Sequence, residues 1–183
     1  MFIYTHFLMG ILIQKTLFRF FTPTPLVWII VMILSFLSHW LIDSFTYLTF
    51  HPDETYSERF PKDRFKLFVD ILSVPITAFI LIYFTFFSQS SFQFFSGFIS
   101  AECYIFSMLS AWFVDVIDWE IVRRLAKHEI ISKEYYSLGI IHKTINKFRE
   151  TIFPWFPNWR DKKWAFSIDL GITGIFTLVA FLI

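Results

Sequence analysis

Five apolar runs, each near the length needed to cross a bilayer, account for most of this 183-residue chain. A spanning helix needs about 20 mainly apolar residues. Residues 26–50, 65–87, 92–119 and 164–183 meet that length cleanly. Residues 2–21 form a weaker run, because Gln14 and Lys15 interrupt it. Pro23 and Pro25 break the chain after the first run, and residues 88–91 make a polar turn between the third and fourth. Pro75 falls inside the third, where a spanning helix tolerates a kink. The expected fold is therefore all-α: a polytopic membrane bundle of about five transmembrane helices, forming a single domain over residues 1–183.

Composition agrees with that class. The chain is 56% hydrophobic and 22% aromatic, with 27 phenylalanines, and its mean hydropathy is +0.57. So many aromatic side chains exceed what the core of a soluble domain of this size accommodates. The net charge of +1 gives no reason to expect nucleic acid as a partner. The lone Cys103 excludes a disulfide framework within the chain.

Charge distribution orients the expected bundle. Of 16 Lys and Arg residues, only Lys15 and Arg19 fall at one end of the spans; the rest cluster at the other. The positive-inside rule then puts the N-terminus and the two longer loops, residues 51–64 and 120–163, in the cytoplasm. The expected location is the inner, cytoplasmic membrane of a cell. Within the second loop, residues 121–131 read as an amphipathic helix exposing Arg123, Arg124 and Lys127. Ser132 reads as the cap of a short helix that Gly139 ends. Arg123, Arg124 and Lys143 are candidates for holding a phosphate, or simply positive-inside charge. The aromatic stretch from Phe153 to Trp164, flanked by lysines, reads as an interfacial anchor.

Two parts of the chain resemble each other. Ser38-His-Trp-Leu-Ile-Asp43 parallels Ser110-Ala-Trp-Phe-Val-Asp115. Asp70 and Asp169 each follow an aromatic residue by five positions and precede a helix-softening Pro75 or Gly174 by five. This suggests a duplicated two-helix unit in parallel topology, with a site at the repeat interface.

Apart from Lys15, Arg19 and Glu102, the ionisable residues within the apolar runs fall at the same, cytoplasmic end. His6 lies near the start of the first run; His39 and Asp43 near the end of the second; Asp115 and Asp118 near the end of the fourth. His142 lies in the second loop, within reach of them. Ionisable groups inside a membrane are costly, and a convergent set is a functional-site hypothesis. Histidines mixed with carboxylates suit zinc or manganese rather than calcium. We expect His6, His39, Asp43 and Asp115 to ligate a divalent transition metal. Asp118 is the candidate general base or a further ligand, and His142 completes the catalytic set. Asp70 and Asp169 are expected either to support the ligands from behind or to complement helix dipoles. Glu102 lies too far along its helix to join the cluster. His51, Asp53, Glu54 and Glu58 read as a solvated loop.

Four short patches, under a quarter of the chain, are similar to the LexA-binding, inner-membrane-associated metal-dependent hydrolases of bacteria. Thr5, His6 and Gly10 match that family's Thr-His-x-x-x-Gly element. Ser38, His39 and Asp43, with Thr46 following, match its Ser-His-x-x-x-Asp element. Asp115 and Asp118 correspond loosely to its paired aspartates, and Ile141-His142-Lys143 to its His-Arg-Gly-x-Thr-His element. The order of the elements is permuted here. The resemblance implies a helical membrane protein with a metal-activated hydrolytic site, acting on a lipid or phosphoester. Two other classes fit the residues: proton- or cation-coupled transport, and a non-catalytic membrane assembly subunit. A third, a lipid-headgroup or prenyl transferase holding magnesium through Asp115-x-x-Asp118, fits in outline only.

Overall fold

The computed structural model describes residues 3–44, 48, 64–84, 104–135, 139–159 and 161–183. All regular structure among these residues is helical. Helix α1 spans Ile3–Phe20, α2 spans Pro25–Ser44 and α3 spans Arg64–Ile82. Helix α4, Ile105–Asp115, continues through a wider π turn at Val116–Val122 into a short α5, Arg123–Lys127. A single 3₁₀ turn, Lys133–Tyr135, precedes α6, Ile140–Ile152. A second, Lys163–Ala165, leads into α7, Phe166–Leu182. The expected loop at residues 51–63, with His51, Asp53, Glu54 and Glu58, lies outside the described residues, as do Glu102 and Cys103.

Among the described residues, two helices are long and apolar enough to cross a membrane: Pro25–Ser44 and Lys163–Leu182. The outer face of α2 exposes Leu26, Ile29, Ile33, Leu37 and Leu41, and α7 exposes Ile175, Leu178 and Leu182. Polar groups turn inward instead: Thr5, His6, Gln14, Ser35, His39, Ser107 and Asp169 are buried. Apolar outside and polar inside reverses the usual arrangement of a soluble domain.

The contacts fix the direction of each helix. Phe18 meets Trp28, and His6 meets Asp43, so α1 and α2 are antiparallel. Lys15 lies over Tyr104 while Phe7 meets Trp112, so α1 and α4 are antiparallel too. Tyr4 pairs with Asp169, Thr5 with Thr173 and Lys15 with the Ala180 carbonyl, so α1 and α7 run together. Phe65 meets Phe166 and Tyr83 meets Phe181, so α3 runs with them. Thus α1, α3 and α7 point one way and α2 and α4 the other.

Helix α1 occupies the centre, touching α2, α3, α4 and α7. Its Tyr4, Phe7, Leu8 and Ile11 form the buried core with Ile80, Phe84, Met108 and Ala180. Close approach to α4 depends on Gly10: a Cβ there would run into the Ser107 carbonyl. The polar interruptions of α1 have inward partners. Ser107 donates to Gln14 Oε1 at 2.8 Å. Lys15 Nζ donates to the Ala180 carbonyl at 2.6 Å, among the carbonyls that the end of α7 leaves without a helical partner. That explains a lysine at the sparsely charged end of the bundle: its cation meets the negative end of a helix dipole.

The second loop departs from expectation at Arg123, which is buried, whereas Arg124 and Lys127 are exposed as expected. Gly139 caps the start of α6. Of the helix expected over residues 133–138, Lys133–Tyr135 is a 3₁₀ turn and the rest lies outside the described residues. In the aromatic stretch, Phe153 stacks on Phe156 at 4.9 Å, and Trp155 and Trp164 are exposed.

Candidate metal centre

Four helices bring one side chain or more to a single point. Helix α1 delivers His6 on its first turns. Helix α2 delivers His39 and Asp43, which share a face because they are four residues apart. Helix α4 ends at Asp115, and α6 lays His142 across the ends of α2 and α4. His39 Nε2 lies 2.8 Å from Asp43 Oδ2 and 3.6 Å from Asp115 Oδ1. His142 Nε2 lies 3.2 Å from each of the same two oxygens. His6 Nε2 lies 3.4 Å from the other oxygen of Asp43, Oδ1. The imidazoles of His6 and His39 are stacked, with centroids 4.1 Å apart and planes within 11°.

These side chains form two overlapping groups able to hold a metal ion: His6, His39 and Asp43, and His39, Asp115 and His142. The distances match coordination. Ligands 2.0–2.1 Å from a tetrahedral centre lie about 3.3 Å from one another. The four nitrogen-to-oxygen separations from His39 Nε2 and His142 Nε2 to Asp43 Oδ2 and Asp115 Oδ1 span 2.8 to 3.6 Å.

The hydrogen bonds behind the ligands orient them. His39 Nδ1 lies 2.9 Å from the Ala111 carbonyl. A carbonyl can only accept, so Nδ1 carries a proton, and Nε2 faces the carboxylates. His39 Nε2 is buried without a hydrogen-bond donor or acceptor in good geometry. His142 Nδ1 likewise donates to Asp118 Oδ2 at 2.8 Å. A metal-bound histidine commonly donates its other N–H to a carboxylate or backbone carbonyl in this way. The donor set and the groups behind it therefore fit a metal ion.

Asp118 is the expected base or ligand, yet its oxygens point to α6. Oδ1 accepts from the Ile141 amide at 3.1 Å, and Oδ2 from the His142 amide at 2.7 Å as well as from the His142 ring. Asp118 thus caps the start of α6 and aims His142. The π turn that begins at Val116 lets Asp115 and Asp118 approach His142 from its two sides; π turns commonly occur at functional sites. Gly139 makes this possible, because a Cβ there would collide with the Asp118 carboxylate. Burial opposes the His142 imidazolium, but the carboxylates of Asp115, Asp118 and Asp43 outweigh it and push its pKa up to about 11. The same carboxylate field that holds a proton at Nε2 would favour a divalent ion there.

Asp169 does not reach the centre. It lies in the first turn of α7, where a negative charge suits the dipole, and accepts from Tyr4 Oη at 3.0 Å. With the contact between Thr5 and Thr173 at 3.3 Å, it ties down the turn of α1 that carries His6. Asp70 occupies the corresponding early position in α3; its side chain lies outside the described residues. Sequence reading misses the α6 cap. Ile141, Ile145, Phe148 and Ile152 recur at helical spacing and would reveal the helix; nothing local pairs Asp118 with its first turn.

Among known proteins, no family model matches this chain, and neither a curated protein nor a solved structure matches it.

Proposed function

We propose that this chain is a membrane-embedded, metal-dependent hydrolase whose site opens at the cytoplasmic face of the inner membrane and acts on a lipid phosphoester. One observation carries the reading: two histidines and two aspartates from α2, α4 and α6 converge at coordination spacing, with both histidines oriented from behind. Zinc or manganese suits two imidazoles and two carboxylates. Such an ion, when bound, polarises a phosphoryl oxygen and lowers the pKa of a nearby water.

The roles follow from position. His39, Asp43, Asp115 and His142 hold the ion, Asp118 positions His142, and Asp169 with Tyr4 steadies α1. Asp115 is the most exposed ligand, at 22% for its side chain against 8% for Asp43. It takes the proton of the attacking water. The water oxygen bonds to phosphorus, the ester P–O bond breaks, and the departing alkoxide takes that proton from Asp115.

Two features support a lipid substrate. An apolar groove of about 360 Å³ lies between α2 and α4, lined by Met32, Ile33, Phe36, Leu37, Phe106 and Phe113. It ends within about one turn of His39 and Asp115 and would receive an acyl chain. Helix α6 carries exposed Phe148 and Ile152 and leads into the aromatic stretch, as an interfacial helix would. The alternating helix directions support five crossings, and the clustering of Lys and Arg supports the cytoplasmic orientation.

The test uses full-length protein purified in detergent. We expect bound transition metal, and hydrolysis of a fluorogenic phospholipid in mixed micelles that is abolished by chelation. His39→Ala should lose both the metal and at least about 100-fold in rate. A protein purified without transition metal that takes none up, or an unchanged rate in His39→Ala, contradicts the proposal.

A further inference from the structure

We infer that the centre is built for two divalent transition-metal ions, bridged by the carboxylate of Asp43. This rests on the metal-centre reading above and extends it. His39, Asp115 and His142 with Asp43 Oδ2 complete one four-coordinate set. That set leaves out His6, although His6 is 1% exposed and reaches the same aspartate.

The two oxygens of Asp43 divide between the histidines. Oδ2 faces His39 at 2.8 Å and His142 at 3.2 Å, whereas Oδ1 faces His6 at 3.4 Å. The separation of His6 Nε2 from Oδ1 is again that of two ligands on one tetrahedral ion, about 3.3 Å. It is long for a hydrogen bond. His6 and His39 stack with centroids 4.1 Å apart and planes within 11°, so their in-plane lone pairs lie in separate planes. Two-metal hydrolytic sites hold their ions about 3.5–4 Å apart. The carboxylate of Asp43 offers one oxygen on each side of that stack.

The state of His6 points the same way. Among the described residues, its Nδ1 is buried with no hydrogen-bond partner, and its Nε2 faces the distant Oδ1. An imidazole enclosed with one nitrogen unpaired and the other 3.4 Å from its acceptor is costly. An ion at Nε2 removes that cost on one side. The second ion would have few protein ligands, leaving coordination positions for water and for phosphate oxygens. A pair of ions can then clamp the attacking and leaving oxygens of a phosphoester.

Metal stoichiometry tests this. Chelator-stripped, detergent-solubilised full-length protein is loaded with manganese or zinc, desalted, and assayed for metal and protein. We expect about two ions per chain in the wild type and about one in His6→Gln and His6→Ala, with Asp43→Asn losing both. Electron paramagnetic resonance of the manganese-loaded wild type should show a spin-coupled pair, replaced by an isolated ion in His6→Gln. One ion per chain in the wild type, with an isolated manganese signal that His6→Gln leaves unchanged, overturns the inference but leaves a mononuclear centre standing. No bound metal at all overturns both.

Discussion

Asp118 does two jobs with one carboxylate: it receives the first amides of α6 and the Nδ1–H of His142. Its burial is complete, so the charge is compensated by these donors and not by water. In Asp118→Asn the amide oxygen can still accept, but the negative charge that orients and strengthens His142 is gone. We expect metal affinity to fall by about 10- to 100-fold, the usual cost of losing a partner behind a ligand, with helix content unchanged. Competition against a chelator of known affinity measures this. Unchanged affinity would show that His142 does not hold the ion. Much at this scale is legible in the amino-acid order itself: His39 and Asp43 share a face by spacing alone. The pairing of Asp118 with residues 141 and 142 is not, because it spans more than twenty positions and depends on a π turn. Arg123 shows the same limit: the amphipathic reading of residues 121–131 exposes it, whereas the fold buries it.

At the scale of elements, α1 decides whether the centre forms. It is central, it carries His6, and it approaches α4 closely through Gly10. Gly10→Ala puts a methyl group against the Ser107 backbone, which cannot move aside as a flexible side chain would. We expect a loss of about 1–3 kcal/mol, the common cost of overpacking, read as a lower midpoint of thermal or denaturant unfolding in detergent. Because His6 lies about one turn away, metal binding should weaken as well. An unperturbed midpoint would mean that α1 and α4 are not so close. The polar residues that make α1 look like a weak span, Gln14 and Lys15, are its attachments to α4 and α7. A hydropathy reading counts such residues against a helix and cannot see that each has a partner.

For the whole molecule, the fold class and the convergence at one end follow from where the ionisable residues fall in each apolar run. The helix directions place the ends of α2 and α4 beside the starts of α1 and α7. The duplicated motif adds sense to the site: Asp43 and Asp115, at equivalent positions, both face His39 and His142, and His39 bonds the carbonyl of its own equivalent, Ala111. What the pattern leaves unread is the second loop, where α6 closes the centre. Its placement depends on contacts with α2 and the π turn, not on its own periodicity.

The coordination shell itself is the most direct test. X-ray absorption at the zinc edge of zinc-loaded full-length protein should show only nitrogen and oxygen neighbours at about 2.0–2.1 Å, with the outer-shell scattering of imidazole rings. That imidazole signature should weaken in His39→Ala and in His142→Ala. A shell of water oxygens with no imidazole scattering, identical in the wild type and both variants, would contradict the account.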